Sequence, residues 1–266
     1  MKLALAVLVL LGLALPQSVS AGEPSRASLA LETSSAAIGR VLPDMEFTQS
    51  NGARVRIADS RGKPLIVTLV YTSCVDVCPT LIESLLPAVS EARKAFGADS
   101  FSVVTIGFDT AKDTPERMRM FGAARGVNLA NWHFLSADQD NLDRLAQAVG
   151  FGIYARAGSW DHLAQVTLVD AQGRVRQQVY GAIFEPPLVV EPLKYLLLGR
   201  DLPLNSIERL IDRVKFFCTV YDASSGRYYF NYSLFLSIAI GTACFTIVLI
   251  LLIREWRRGR GGVRPT

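Results

Sequence analysis

The chain has 266 residues, half of them apolar, four cysteines and a formal charge of +4. That length suits one domain with a substantial core together with membrane segments. Five arginines at the very end (Arg254, Arg257, Arg258, Arg260 and Arg264) carry much of the charge, which therefore gives no support to a nucleic-acid partner. The start, "MKLALAVLVLLGLALPQSVSAG", has one early lysine, an apolar run, and small residues at Val19, Ser20 and Ala21. It reads as a secretory signal peptide over residues 1–21, with an uncleaved anchor as the alternative. Residues 22–40 show no clear period and read as a flexible lead-in.

A folded domain is expected over residues 41–200. "NGARVRI" predicts a turn and a short strand. "PLIVTLVY" is a continuous apolar, β-branched run, as in a strand buried on both faces. The segment "YTSCVDVCPT", holding Cys74 and Cys78, follows at once. "TLIESLLPAVSEARKAF" predicts a helix with an apolar face through Leu81, Leu85, Val89 and Phe96, kinked or restarted at Pro87. "FSVVTIGF" is a second buried strand. In "TPERMRMFGAARG", Thr114 suits an N-cap, Pro115 the first helical position and Gly126 the stop. "WHFLS" is a short strand, and "DQDNLDRLAQAVG" a helix with an acidic first turn. "QVTLVD" and "RVRQQVY" form a hairpin, and "PLVVEPLKYLLLG" a last helix. Strand and helix alternate before the hairpin, so the fold class is α/β with a mixed sheet flanked by helices. The site is expected at the carboxyl ends of the parallel strands, where the cysteines lie.

Residues 201–232 read as a membrane-proximal tail. Residues 233–253, "SLFLSIAIGTACFTIVLILLI", carry no charge and are long enough to span a bilayer as a helix. "YYFNY" supplies an aromatic belt before it. The arginines of residues 254–266 make a basic cytoplasmic tail, which puts the domain outside. Cys244 falls within the span, as inert packing; Cys218 precedes it with no role assigned.

The Cys74/Cys78 pair admits three uses. A structural staple would close so small a loop that it would stabilise little. Redox and metal use remain. If the helix begins near Cys78, its N-terminus faces the thiols and favours thiolate, the nucleophile of disulfide exchange and a soft ligand for Cu(I). Of the two histidines, His133 lies in a strand between Trp132 and Phe134 and reads as structural. His162 sits in a predicted loop before the hairpin, near the strand ends. On spacing alone, Cys74, Cys78 and His162 make a weak constellation.

These segments resemble the SCO/SenC family, thioredoxin-fold copper proteins of cytochrome oxidase assembly. "YTSCVDVCPT" is similar to its CxxxCP signature, "FDTAKDTPERM" to its Asp-x-x-x-Asp-Thr-Pro segment, and "NWHFLSAD" to its Trp-x-x-Leu-Thr-Gly stretch. "CTVYDASSGRYYF" resembles the tail of a subgroup with a C-terminal transmembrane anchor. Val75 stands where the family often has Pro, Leu163 where it has Ser, and Val220 where it has His. The resemblance implies a thioredoxin-like fold and copper ligation by Cys74, Cys78 and His162. It also implies an inner-membrane protein with a periplasmic domain, which assists the dinuclear copper centre of a cytochrome c oxidase subunit and exchanges copper with other periplasmic carriers.

Two thiolates and an imidazole suit copper as Cu(I) or Cu(II). Zinc would want a fourth ligand, for which Asp76 is the nearest residue. The same cysteines would also serve a membrane-tethered thiol–disulfide oxidoreductase acting on an oxidase subunit or another exported protein. Peroxidase chemistry would want an activated cysteine with an arginine nearby, and no arginine stands out.

Overall fold

A computed structural model describes residues 25–156, 159–198, 219–222, 227–230 and 233–260. The residues read as a signal peptide, and Cys218, lie outside the described residues. The architecture is a thioredoxin-like mixed sheet flanked by helices. The central strands are β3 (Leu65–Val70), β4 (Ser102–Gly107) and β5 (Trp132–Ser136). They pair in parallel, Leu65 opposite Ser102 and Val103 opposite Trp132. All six residues of β3 are buried, as its unbroken β-branched run requires of a strand covered on both faces. The short strands β1 (Glu46–Thr48) and β2 (Arg54–Arg56) join the β5 edge, antiparallel.

Helix α2 (Val77–Phe96) connects β3 to β4, and α3 (Pro115–Ala123) connects β4 to β5. Thr114 caps α3, its hydroxyl accepting the Arg117 N–H with Pro115 next in line. The helix stops at Ala123, before Gly126, which takes the left-handed φ of 66°. The Arg125 and Gly126 N–H groups instead bond three residues back, a tight last turn. Pro87 does not restart α2. It sits on the exposed side, while Leu81, Ile82, Leu85 and Val89 stay in register on the buried side. The packing of that face outweighs one missing N–H.

Helix α4 (Gln139–Val149) is capped by Asp138 and ends at Gly150 in the left-handed region. Next comes a feature absent from the sequence reading: a separate two-stranded sheet of β6 (Ile153–Arg156) and β7 (Ser159–His162), with Ile153 opposite His162. β8 (Gln165–Val169) then pairs antiparallel with β3, and β9 (Val175–Tyr180) forms the far edge. The main sheet thus runs β2-β1-β5-β4-β3-β8-β9. Helix α5 (Pro187–Leu198) packs against α2.

The lead-in also differs from its sequence reading. Arg26–Ser35 is a helix, α1, begun by Ser25, whose hydroxyl accepts the Ser28 N–H. It presents small residues inward, Ala30 and Ser34, followed by Ala37. Ser34 donates to Gln165 Oε1 at 2.7 Å. Gln165 and Gln178 donate in turn to the Val149 carbonyl, both at 3.0 Å. A polar network, not an apolar stripe, docks this helix, so no period marked it.

Two short strands, β10 (Thr219–Asp222) and β11 (Arg227–Phe230), pair before a long helix, α6 (Ser233–Arg260). Within α6, Phe235–Arg254 has a mean hydropathy of 2.7, long and apolar enough to cross a membrane.

Candidate metal centre

Past Val70 the chain leaves the sheet through Tyr71 and Thr72. The buried carboxylate of Asp113, in the loop after β4, ties that exit down. Its Oδ1 accepts the Thr72 N–H at 2.8 Å and the Thr72 hydroxyl at 2.7 Å, and its Oδ2 accepts the Asp109 N–H at 2.9 Å. The Cys74 N–H then turns back to the Tyr71 carbonyl at 3.1 Å.

Asp76 occupies the N-cap of α2, yet its side chain makes no capping bond. The Cys74 sulfur takes that role: Sγ accepts the Cys78 N–H at 3.3 Å. A helix begins with N–H groups that have no partner within it and with a partial positive charge. Burial pushes the Cys74 thiol up. The backbone N–H groups of Cys78 and Asp76, the Cys78 thiol and the Tyr71 phenol oppose it, and the net shift is down. Cys78, fully buried, goes the other way: burial pushes its thiol well up, and the negative charge of Cys74 adds to this. The two thiols are thus unequal, one half-exposed with its pKa lowered, the other enclosed with its pKa raised.

His162 ends β7 and comes to this same corner. Its Nε2 stands 3.8 Å from Cys78 Sγ. Its Nδ1 is 3.2 Å from the Leu163 carbonyl, which can only accept, so the ring proton sits on Nδ1 and Nε2 offers its lone pair toward the sulfur. Phe108, Phe151 and Tyr71 surround the ring, with centroids 5.1, 5.5 and 5.9 Å away. Burial among them holds the imidazole pKa below its usual value.

The structure therefore gathers the three sequence-predicted residues at one end of the sheet. They are not a closed cage: among the described residues, no group of three or more His, Cys, Asp or Glu is set around a common point. Cys78 and His162 face each other, while Cys74 is turned to the helix N-terminus. Donors about 2.0–2.3 Å from one soft ion lie roughly 3.5–4 Å apart, so the Cys78–His162 pair fits a shared ion. Asp76 is exposed and offers the site its backbone N–H. His133 is elsewhere, its Nδ1 3.3 Å from the Gln49 amide.

Sequence reasoning missed the supporting residues. Burial first, then the sulfurs of Cys74 and Cys78, push the Tyr71 phenol up to about 12. Asp109 Oδ2 accepts the Trp160 indole N–H at 3.4 Å. The available signal was the pair of aspartates four apart directly after a buried strand, at the sheet end that bears the cysteines.

A thioredoxin-like sheet, a dithiol at a helix N-terminus and a histidine supplied from a distant hairpin define a thiol protein equipped with a soft sulfur–nitrogen donor set. Residues 34–196 match the family model SCO1/SenC, and the chain belongs to that family. A relative from Stutzerimonas stutzeri, named "Putative copper-binding protein", is 24% identical over 169 residues, covering 59% of this chain and 76% of its own. A "putative electron transfer protein" from Aquifex aeolicus VF5 superposes with a TM-score of 0.56 at 25% identity, over 62% of this chain and 97% of its own. Bradyrhizobium japonicum ScoI, solved with copper bound, shares the fold with a TM-score of 0.50 at 24% identity, over 60% and 99%.

Proposed function

We propose that the protein is a membrane-tethered copper chaperone that holds one copper ion through Cys74, Cys78 and His162 and assists assembly of the dinuclear copper centre of a cytochrome c oxidase subunit. The observation that carries this reading is the 3.8 Å approach of His162 Nε2 to the Cys78 sulfur. Sulfur from two cysteines favours Cu(I), and the nitrogen lets the same site hold Cu(II). When bound, copper supplies a one-electron redox centre and the cargo for delivery. The chain's own part is to orient the donors, exclude water with Phe108, Phe151 and Tyr71, and favour ionisation of Cys74 at the helix N-terminus. The names of the relatives and the oxidase role of the family support this reading. Helix α6 anchors the domain in the inner membrane, the basic residues 254–266 hold its end in the cytoplasm, and the domain faces the periplasm.

The test is copper titration of the full-length protein in detergent, under Cu(I) and Cu(II), for the wild type, Cys74→Ser, Cys78→Ser and His162→Ala. The expected result is loss of binding in both serine variants. His162→Ala should bind weakly and without the nitrogen signature in the Cu(II) spectrum, with the dithiol still able to oxidise and reduce. A His162→Ala protein with wild-type copper binding would overturn the ligand set.

One observation favours a second reading, a thiol–disulfide oxidoreductase: Cys74 is half-exposed with its sulfur on an N–H of the first turn of α2, while Cys78 is buried behind it. Cys74 thiolate would attack a target disulfide and release one target thiolate. Cys78 would then attack the mixed disulfide, lose its proton and release the second, leaving the target reduced and Cys74–Cys78 oxidised. A membrane dithiol reductant would restore the pair. Oxidase assembly that survives His162→Ala but fails in Cys74→Ser would select this reading.

A further inference from the structure

We propose that Trp160 and Asp109 form a latch that positions His162 for the site. The inference rests on the copper-binding reading above. His162 does not belong to the main sheet; it ends β7 of a separate hairpin, most of whose residues are half-exposed or exposed. A side chain on such an element is placed only as well as the element is fastened. Trp160 lies two positions before His162 on the same strand, so the two residues share one face of β7.

One polar hydrogen of Trp160 is held by the domain: the indole Nε1–H donates to Asp109 Oδ2 at 3.4 Å. The other contacts of Asp109 keep its carboxylate in place: its backbone N–H donates to Asp113 Oδ2, and Lys112 Nζ stands 3.3 Å from Oδ2. Asp113 in turn holds Thr72, two residues before Cys74. A continuous chain therefore runs from the histidine strand to the cysteine loop through Trp160, Asp109, Asp113 and Thr72. The Phe108 ring packs against both Trp160, at 6.3 Å, and His162, at 5.1 Å, so it supports the hairpin without fixing its register. The directional part of the fastening is the indole bond. Trp160 and Asp109 are positioning residues, acting through His162, and partners that orient a ligand typically contribute about 10- to 100-fold in metal affinity.

The test uses full-length protein in detergent with Asp109→Ala, Trp160→Phe, the double variant and Asp109→Asn. Trp160→Phe keeps an aromatic ring on Phe108 and removes the indole donor. Two readouts are taken: hydrogen exchange of the amides of residues 153–162 without metal, and Cu(II) titration followed by its paramagnetic resonance spectrum. We expect each single variant to speed exchange in the hairpin while β3 and β4 stay protected. Each should weaken Cu(II) binding by about 10- to 100-fold and reduce the nitrogen splitting. The double variant should be no worse than either single one, since both remove the same bond. Asp109→Asn, which keeps an acceptor oxygen, should recover most of the loss. Unchanged hairpin exchange with unchanged nitrogen splitting would overturn the latch, as would loss of protection across the whole sheet. If the wild type binds no copper, the chaperone reading fails, and hairpin exchange still decides the latch.

Discussion

His162 Nε2 and Cys78 Sγ stand 3.8 Å apart although 84 positions separate the two residues. The approach combines two elements of different stability: the first turn of a long buried helix and the end of a small exposed hairpin. The sulfur is fixed by the core, and the nitrogen by a ring packed among Phe108, Phe151 and Tyr71 at the end of that hairpin.

The inequality of the two thiols predicts selective modification. Cys74 is half-exposed and its thiol shifted down; Cys78 is enclosed and shifted well up. Iodoacetamide at neutral pH should alkylate Cys74 at least about tenfold faster than Cys78, because the thiolate is the reacting species. Peptide mass spectrometry over time reads this directly, and equal rates would contradict the cap formed by the Cys74 sulfur.

Burial holds both His162 and His133 below the usual imidazole value of 6.5. Near and below that value the unfolded chain binds protons that the folded chain refuses. Stability is therefore full above 6.5 and falls as pH drops toward the folded values. Urea midpoints at pH about 7.5 and about 5.5 should show this loss, and His133→Gln with His162→Gln should reduce the difference between them. A midpoint that does not move would refute the burial argument.

Gly107 ends β4 beside Asp113. A Cβ there would come within 2.5 Å of the Asp113 Cβ and 2.8 Å of the Met118 sulfur. Neither neighbour is free to leave, since Asp113 carries the bonds to Thr72 and Asp109, and Met118 is fully buried. Gly107→Ala should cost about 1–3 kcal/mol in denaturant unfolding. It should also alter the alkylation rate of Cys74 by moving the loop that carries it.

Ser34 is the donor that satisfies the buried Gln165 Oε1. Ser34→Ala leaves that oxygen enclosed and unpaired, at a cost of about 1–3 kcal/mol. Proteolysis near α1 should quicken in the same variant. Stability equal to wild type would mean that α1 is not docked through this bond.

The contrast between β3 and β7 shows what can be read from sequence. "LIVTLV" announces a strand buried on both faces because each residue says the same thing. "SWDH" mixes one aromatic with polar residues over four positions, too short for a period, so His162 read as part of a loop. The cysteines and His162 make only a weak set on spacing and are joined as ligands through the family resemblance; the structure brings His162 to Cys78. That Tyr71, Asp109 and Trp160 meet beside them was not legible, because their meeting depends on how β3, β4 and β7 end in space. Helix α1 was hidden for another reason: what it buries is alanine and serine, and its anchor is a hydrogen bond 131 positions away.

The bond from His162 Nδ1 to the Leu163 carbonyl also governs proton traffic. With the ring proton already on Nδ1, an ion arriving at Nε2 displaces nothing from the imidazole. If the ion is held by Cys74, Cys78 and His162 as proposed, whatever protons leave on loading come from the two sulfurs. Loading should then acidify its surroundings, and an acidic compartment should compete for the cargo at the thiols. Calorimetry in buffers of different ionisation enthalpy would count those protons.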